Sequence, residues 1–120
     1  MLKILAVDDS VTMRNMLRIA LCENGFEVHL AEDGVAGVEA LQSLQPDVII
    51  TDINMPRMDG FGFVNAVRAS ANHRAVPILV LTTESDPKLK QRARSAGATG
   101  WIVKPFDERK LVSVIRRVAA

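Results

Sequence analysis

Val48-Ile49-Ile50-Thr51-Asp52 is a short β-branched run that ends on a carboxylate. Nothing polar interrupts Val48 to Ile50, so both faces are apolar, which is how a central strand of a parallel sheet reads. Ile4 to Val7 and Ile78 to Leu81 share that texture. Val28 to Leu30, inside the alternating Glu27-Val28-His29-Leu30, reads as an edge strand, and Trp101 to Val103 supplies a fifth run.

Longer stretches with helical spacing lie between these runs. Met13, Met16, Leu17, Ala20 and Leu21 define the first, with Ser10 as its N-cap and Gly25 as its stop. A second starts at Asp33-Gly34, carries Val38, Leu41 and Leu44 on one face, and halts before Pro46. The third spans about Gly60 to Ala69, with Phe61, Val64 and Val67 inward. The fourth follows Asp86-Pro87, an N-cap and N1 proline, and ends at Gly97, with only Leu89, Ala93 and Ala96 to bury. The last runs from about Asp107 to Val118, with Leu111, Val114, Ile115 and Val118 inward. Five strands alternating with five helices predict right-handed crossovers and one doubly wound α/β domain with helices on both faces of a parallel sheet.

Composition narrows the function. The 120 residues are 48% hydrophobic and 24% charged, an ordinary globular balance. Fifteen basic against fourteen acidic residues leave a net charge of +1, too little to support nucleic-acid binding by field alone. A single cysteine, Cys22, forms no internal disulfide, and neither His29 nor His73 belongs to a metal-spaced cluster; all three read as inert or solvated. There is no signal-peptide pattern, and no unbroken apolar run exceeds four residues, as at Ile78 to Leu81. The expectation is a soluble, cytoplasmic protein with no membrane insertion.

Ligands of open α/β sheets bind outside the carboxyl ends of the strands. Here those ends carry Asp8-Asp9, Asp52, Thr82-Thr83 and Lys104-Pro105. Parallel strands gather them at one rim. Two carboxylates about 5 Å apart repel by roughly 3 kcal/mol at an effective dielectric near 20, so three call for a cation. Hard oxygen donors suit Mg²⁺, and one carboxylate could then attack phosphorus while Lys104 and Thr82 hold the equatorial oxygens. An aspartyl phosphate is the natural product. Read alone, Asp8-Asp9 could merely cap a helix and Lys104 be a surface cation, whereas Met55-Pro56 and Asp59-Gly60 read as turn chemistry.

Taken in order, Asp8-Asp9, Asp52-Ile53-Asn54-Met55-Pro56-Arg57-Met58-Asp59-Gly60, Thr82 and Lys104-Pro105-Phe106 resemble the receiver domain of bacterial response regulators over the whole chain. With Asn54 and Glu84 as they stand, the sequence is most similar to single-domain chemotaxis regulators. The resemblance implies a flavodoxin-like fold with strand order 2-1-3-4-5 and residues 1–120 as one receiver domain without an output domain. It implies that Asp52 accepts a phosphoryl group from a histidine kinase. Asp9, Asp52 and the Asn54 carbonyl would ligate Mg²⁺, for which Mn²⁺ could substitute, with Asp8 helping through a water. Lys104, followed by a cis bond to Pro105, would pair with a phosphoryl oxygen. Thr82 would shift toward that group, and the aromatic on the fifth strand would change rotamer. That aromatic is Trp101, where the family usually has Tyr or Phe, and an indole N–H needs an acceptor when buried. Asn54 and Glu84 would tune how fast water removes the phosphoryl group.

The implied protein is a monomeric phosphoacceptor switch, not an enzyme turning over a separate substrate. Its output would be a phospho-dependent protein partner, by resemblance the flagellar motor switch, reached through the face of helix four, strand five and helix five. Lys88, Lys90, Arg92 and Arg94 make that fourth helix basic, by default a solvated face. A phosphorelay intermediate or phosphate sink is the alternative. An aspartyl-phosphate phosphohydrolase fits poorly, because neither Asp8 nor Asp9 has an Asp two positions on. A nucleotide-binding domain fits no better, since no glycine-rich phosphate loop is present.

Overall fold

The computed structural model describes residues 1–120. Five strands, β1 (Lys3–Val7), β2 (Glu27–Ala31), β3 (Val48–Thr51), β4 (Ile78–Thr82) and β5 (Gly100–Val103), form one parallel sheet in the order β2-β1-β3-β4-β5. The helices are α1 (Val11–Glu23), α2 (Gly34–Ala40), α3 (Gly60–Ala69), α4 (Pro87–Ala96) and α5 (Glu108–Ala119). This is the flavodoxin-like arrangement, and it puts β2 at one edge as its alternation predicts. β5 is the other edge and is only half-buried.

Side-chain alternation along the strands divides the core. Ile4 and Ala6 of β1, Val48 and Ile50 of β3, and Leu79 and Leu81 of β4 face α1 and α5, where Leu17, Leu21, Leu111 and Ile115 meet them. Leu5, Val7, Ile49 and Ile78 face the other way, onto Phe63, Val64 and Val67 of α3. A smaller cluster of Ile53, Phe61, Val80 and Ala93 lies under α4, with Trp101 packed against it. Of α4 only Ala93 is buried, in keeping with its thin apolar face.

Every helix begins on an oxygen that accepts a backbone N–H: Ser10, Asp33, Asp59, Asp86 and Asp107. Asp59 therefore has a definite task as the cap of α3, beyond the turn chemistry read from Asp59-Gly60. α2 is shorter than its spacing predicts. It ends at Ala40 because Gln42 and Ser43 donate to Glu39 and Ala40, i→i+3 bonds that tighten the last turn. Met16 also departs from expectation, lying exposed at the margin of a face centred on Leu17 and Leu21.

The two histidines differ. His29 is half-exposed and bonds Glu27 at 2.7 Å. His73 is buried, contrary to its reading as a solvated loop residue. Arg68 donates to the carbonyls of His73 and Arg74 and folds this 3₁₀ turn inward. The imidazole then reaches Ser70 Oγ at 3.0 Å and the Leu44 carbonyl at 3.4 Å. Cys22 is exposed, and no helix is long and apolar enough to cross a membrane.

Candidate functional site

The chain reverses direction across the sheet at β1, whose neighbours are β2 on one side and β3 on the other. A crevice opens at such a reversal. Register fills it: Val7 pairs with Thr51, so the next residues, Asp8 and Asp52, emerge side by side. Asp8 and Asp52 are buried, and Asp9 is exposed to solvent. One carboxylate oxygen from each of the three lies within 4.8 Å of the others.

Lys104 arrives from the far side. Thr82 pairs with Val103, and the Lys104 N–H donates to the Thr82 carbonyl at 2.8 Å, extending the ladder one step to the rim. The bond to Pro105 is cis, as the resemblance implies. From there Nζ donates to Asp8 Oδ2 and Asp52 Oδ2, each at 2.8 Å. Burial opposes a charge on this lysine, whose side chain is 10% exposed, but the bonds to Asp52 and Asp8 outweigh it and raise its pKa. The ammonium therefore stays charged across the physiological range.

The remaining oxygens are also committed. Asp52 Oδ1 accepts the Ile53 N–H at 2.6 Å, and Asp8 Oδ1 accepts the Ser10 N–H at 2.9 Å. Gly60 presses on the same segment: a Cβ there would collide with the Asp52 carbonyl. Three carboxylates face one ammonium, which leaves uncompensated negative charge at an open mouth. All donors are hard oxygens with no imidazole or thiolate among them, so the set fits Mg²⁺ or Mn²⁺ and not zinc.

Asn54 and Glu84 flank the mouth and are bonded to each other, Nδ2 to Oε1 at 3.0 Å. Thr82 is buried, and its hydroxyl takes the Glu84 N–H at 3.3 Å rather than either carboxylate. The acceptor that Trp101 needs is the Glu84 carbonyl, 3.1 Å from the indole nitrogen. All eight residues singled out from sequence thus lie at the rim or connect to it through Glu84. Sequence reading missed Arg14, whose guanidinium donates to the Asp8 carbonyl at 2.6 Å. An arginine at the end of the first turn of α1, after an acidic pair, was its only signal.

Residues 4–116 match the response regulator receiver domain family. The chain is 39% identical to a probable chemotaxis protein CheY of Rhizobium etli, over 98% of this chain and 92% of that one. It is 37% identical to the response regulator MprA of Mycobacterium leprae over 96% of its own length, spanning about half of that protein (50%). Among solved structures, CheY4 of Vibrio cholerae superposes with a TM-score of 0.94 at 47% identity, covering 98% of both chains. The receiver domain of a Pseudomonas aeruginosa sensor histidine kinase, solved with a magnesium ion coordinated in its active-site cleft, superposes at 0.91 with 28% identity. That match covers 98% of this chain and 97% of the other.

Proposed function

The chain belongs to the response regulator receiver domain family, and from that premise we propose that it is a phosphorylation-switched signalling protein of the chemotaxis type, with Asp52 as the phosphoacceptor. One observation carries the reading: a single ammonium, Lys104 Nζ, bridges Asp8 and Asp52 at 2.8 Å each, beside the exposed carboxylate of Asp9. Both Asp52 oxygens accept hydrogen bonds at rest, Oδ1 from the Ile53 N–H and Oδ2 from Lys104, and an oxygen becomes free to attack when Lys104 turns to the incoming phosphoryl group. Asp8, Asp9, Asp52 and the Asn54 carbonyl would hold Mg²⁺, which when bound screens the negative charge of attacking and incoming oxygens.

Lys104 orients Asp52 before transfer and pairs with a phosphoryl oxygen after it. The product carries about −1.5 to −2 charges where one carboxylate charge stood. Thr82 then has a stronger partner than the Glu84 N–H. Turning its hydroxyl to the phosphoryl group frees Glu84, and with it the carbonyl that fixes Trp101. α4, with one buried side chain, is the element free to follow. Beside it a groove of about 180 Å³ lies between α4 and β5, lined by Pro87, Lys90, Arg94, Thr99 and Trp101. This basic groove is where a phospho-dependent partner would dock, by kinship the flagellar motor switch, while a chemotaxis-type histidine kinase supplies the phosphoryl group.

The test is intact-mass measurement after incubation with acetyl phosphate and Mg²⁺. Wild-type protein gains one phosphoryl group and Asp52→Asn gains none. Equal uptake by Asp52→Asn overturns the assignment. Because a receiver of a sensor kinase is among the structural relatives, a relay intermediate or phosphate sink is the second reading. A motor-switch peptide bound equally with and without phosphorylation would favour it.

A further inference from the structure

The loop after Asp52 is pinned from outside the acidic rim. Arg57 has φ +66°, in the left-handed region, and the Met58 N–H donates to the Pro56 carbonyl at 2.7 Å. An i→i+2 bond around a positive-φ residue is the rare form of γ-turn, which a non-glycine residue adopts only where its surroundings impose it.

The imposing partner is Asp33. Arg57 Nε donates to Asp33 Oδ2 at 2.6 Å, and its terminal nitrogen donates to Oδ1 at 3.0 Å, a two-pronged pair with fixed geometry. Asp33 is itself immobilised: its side chain is 4% exposed, and Oδ1 also takes the Ala36 N–H at 2.9 Å as the cap of α2. A second tie lies beside it. The Gly34 N–H donates to the Met58 carbonyl at 3.2 Å, an approach that a Cβ would block, since it would meet Met58 at 2.7 Å. The Gly60 N–H closes the loop on the Ile53 carbonyl at 2.8 Å.

We propose that the Arg57–Asp33 pair positions the cation site, by fixing the turn that sets where Asn54 presents its backbone carbonyl beside Asp52. The proposal rests on reading the acidic rim as a Mg²⁺ site. Arg57 is 55% exposed, and an ion pair with one solvated partner contributes little to stability, so its consequence is geometric. Only Met55 and Pro56 separate Asn54 from Arg57, and proline fixes one of the intervening torsions. A displaced turn is therefore passed on to Asn54 rather than absorbed.

The test is a Mg²⁺ titration of the full chain, read by Trp101 fluorescence and by calorimetry, with amide hydrogen exchange on the metal-free samples. Arg57→Ala and Asp33→Asn, the latter keeping a good cap for α2, each weaken Mg²⁺ binding about tenfold, the low end for loss of an outer support. The double variant is no weaker than either single one. Arg57→Gly, which accepts positive φ without strain, is equally weak, and exchange at Met58 and Gly60 quickens in every variant while β1 and β3 stay protected. Wild-type affinity in Arg57→Ala or Arg57→Gly, with only a lower melting temperature, overturns the proposal and leaves the site reading intact. Wild-type protein that takes up no Mg²⁺ overturns the site reading itself, and the proposal with it.

Discussion

Trp101 and Glu84 are joined by a hydrogen bond from the indole N–H to the Glu84 carbonyl at 3.1 Å. Glu84 also gives its own N–H to Thr82 Oγ1 and accepts Asn54 Nδ2 on its carboxylate. One residue thus ties the acidic rim, the β4–α4 loop and β5 together.

Trp101 is the only tryptophan, so its fluorescence reports on that junction. Adding Mg²⁺ and then acetyl phosphate is expected to change the emission in two steps, with the second step lost in Thr82→Ala. Trp101→Phe removes the donor and lowers stability by about 1 kcal/mol, measured by urea denaturation. A second step of full size in Thr82→Ala would break the proposed chain of contacts.

Mg²⁺ is expected to stabilise the fold, because it binds where carboxylate charge outnumbers Lys104. At a hundredfold excess over Kd, mass action contributes about 2.7 kcal/mol. For a chain of this size that raises Tm by roughly 10 °C. Thermal melts followed by circular dichroism, with Mg²⁺ and with EDTA, measure it. Asp9→Asn shrinks the difference, and equal melting temperatures in wild-type protein count against the site.

Two pairs give opposite pH dependences. The hydrogen bonds from Arg57, reinforced by the Ala36 N–H, lower the pKa of Asp33. That contribution is present above the unfolded Asp value of about 3.9 and is lost as pH falls through the lower folded value. The small gap between the stability curves of wild type and Arg57→Ala, as befits a half-exposed pair, therefore closes at the acid end. Lys104 is raised, so its contribution is present below the unfolded Lys value of about 10.4 and is lost as pH rises through the folded one. Wild type and Lys104→Ala converge at the alkaline end. Urea midpoints across pH check both, and a gap that persists at either end contradicts the corresponding pair.

Arg68 holds the C-terminal end of α4 in place. It donates to the Gly97 carbonyl through two nitrogens, at 3.0 and 2.9 Å, and to the carbonyls of His73 and Arg74 at 3.1 Å each. Arg68→Ala is expected to cost about 2–3 kcal/mol, the range for bonds from a charged donor. Arg68→Lys restores little, because an ammonium lacks the planar fork that spans three carbonyls. Hydrogen exchange locates the loss at the α4–β5 junction, where Gly97 sits at φ +114°.

The sheet was legible because strands apolar on both faces and capped, amphipathic helices leave little freedom in a chain this short. Asp8, Asp52 and Lys104 were legible because each follows a strand, and parallel register alone brings strand ends together. The Asn54–Glu84 bond and the Trp101 acceptor follow from loop paths that no periodicity encodes. Arg14, Arg57 and Arg68 were invisible as well. Arg57 and Arg68 bind across the fold to a cap and to a backbone carbonyl, Arg14 reaches back six residues to a carbonyl, and an arginine in sequence does not announce its partner. His73 was misread for the same reason, since its burial depends on Arg68.

The Lys104 bridge also has a consequence for the sheet as a whole. Its ammonium joins Asp8 and Asp52 across 96 and 52 residues of chain. Pairing of β1 with β3 brings those two carboxylates together, and the ammonium that offsets them lies beyond β5 at the other side of the sheet. The counter-charge for Asp8 and Asp52 therefore comes only from the chain that leaves β5, and the rim is electrostatically complete only in the full five-stranded sheet. Loosening β5 alone would leave both carboxylates without their ammonium while β1 and β3 stay paired.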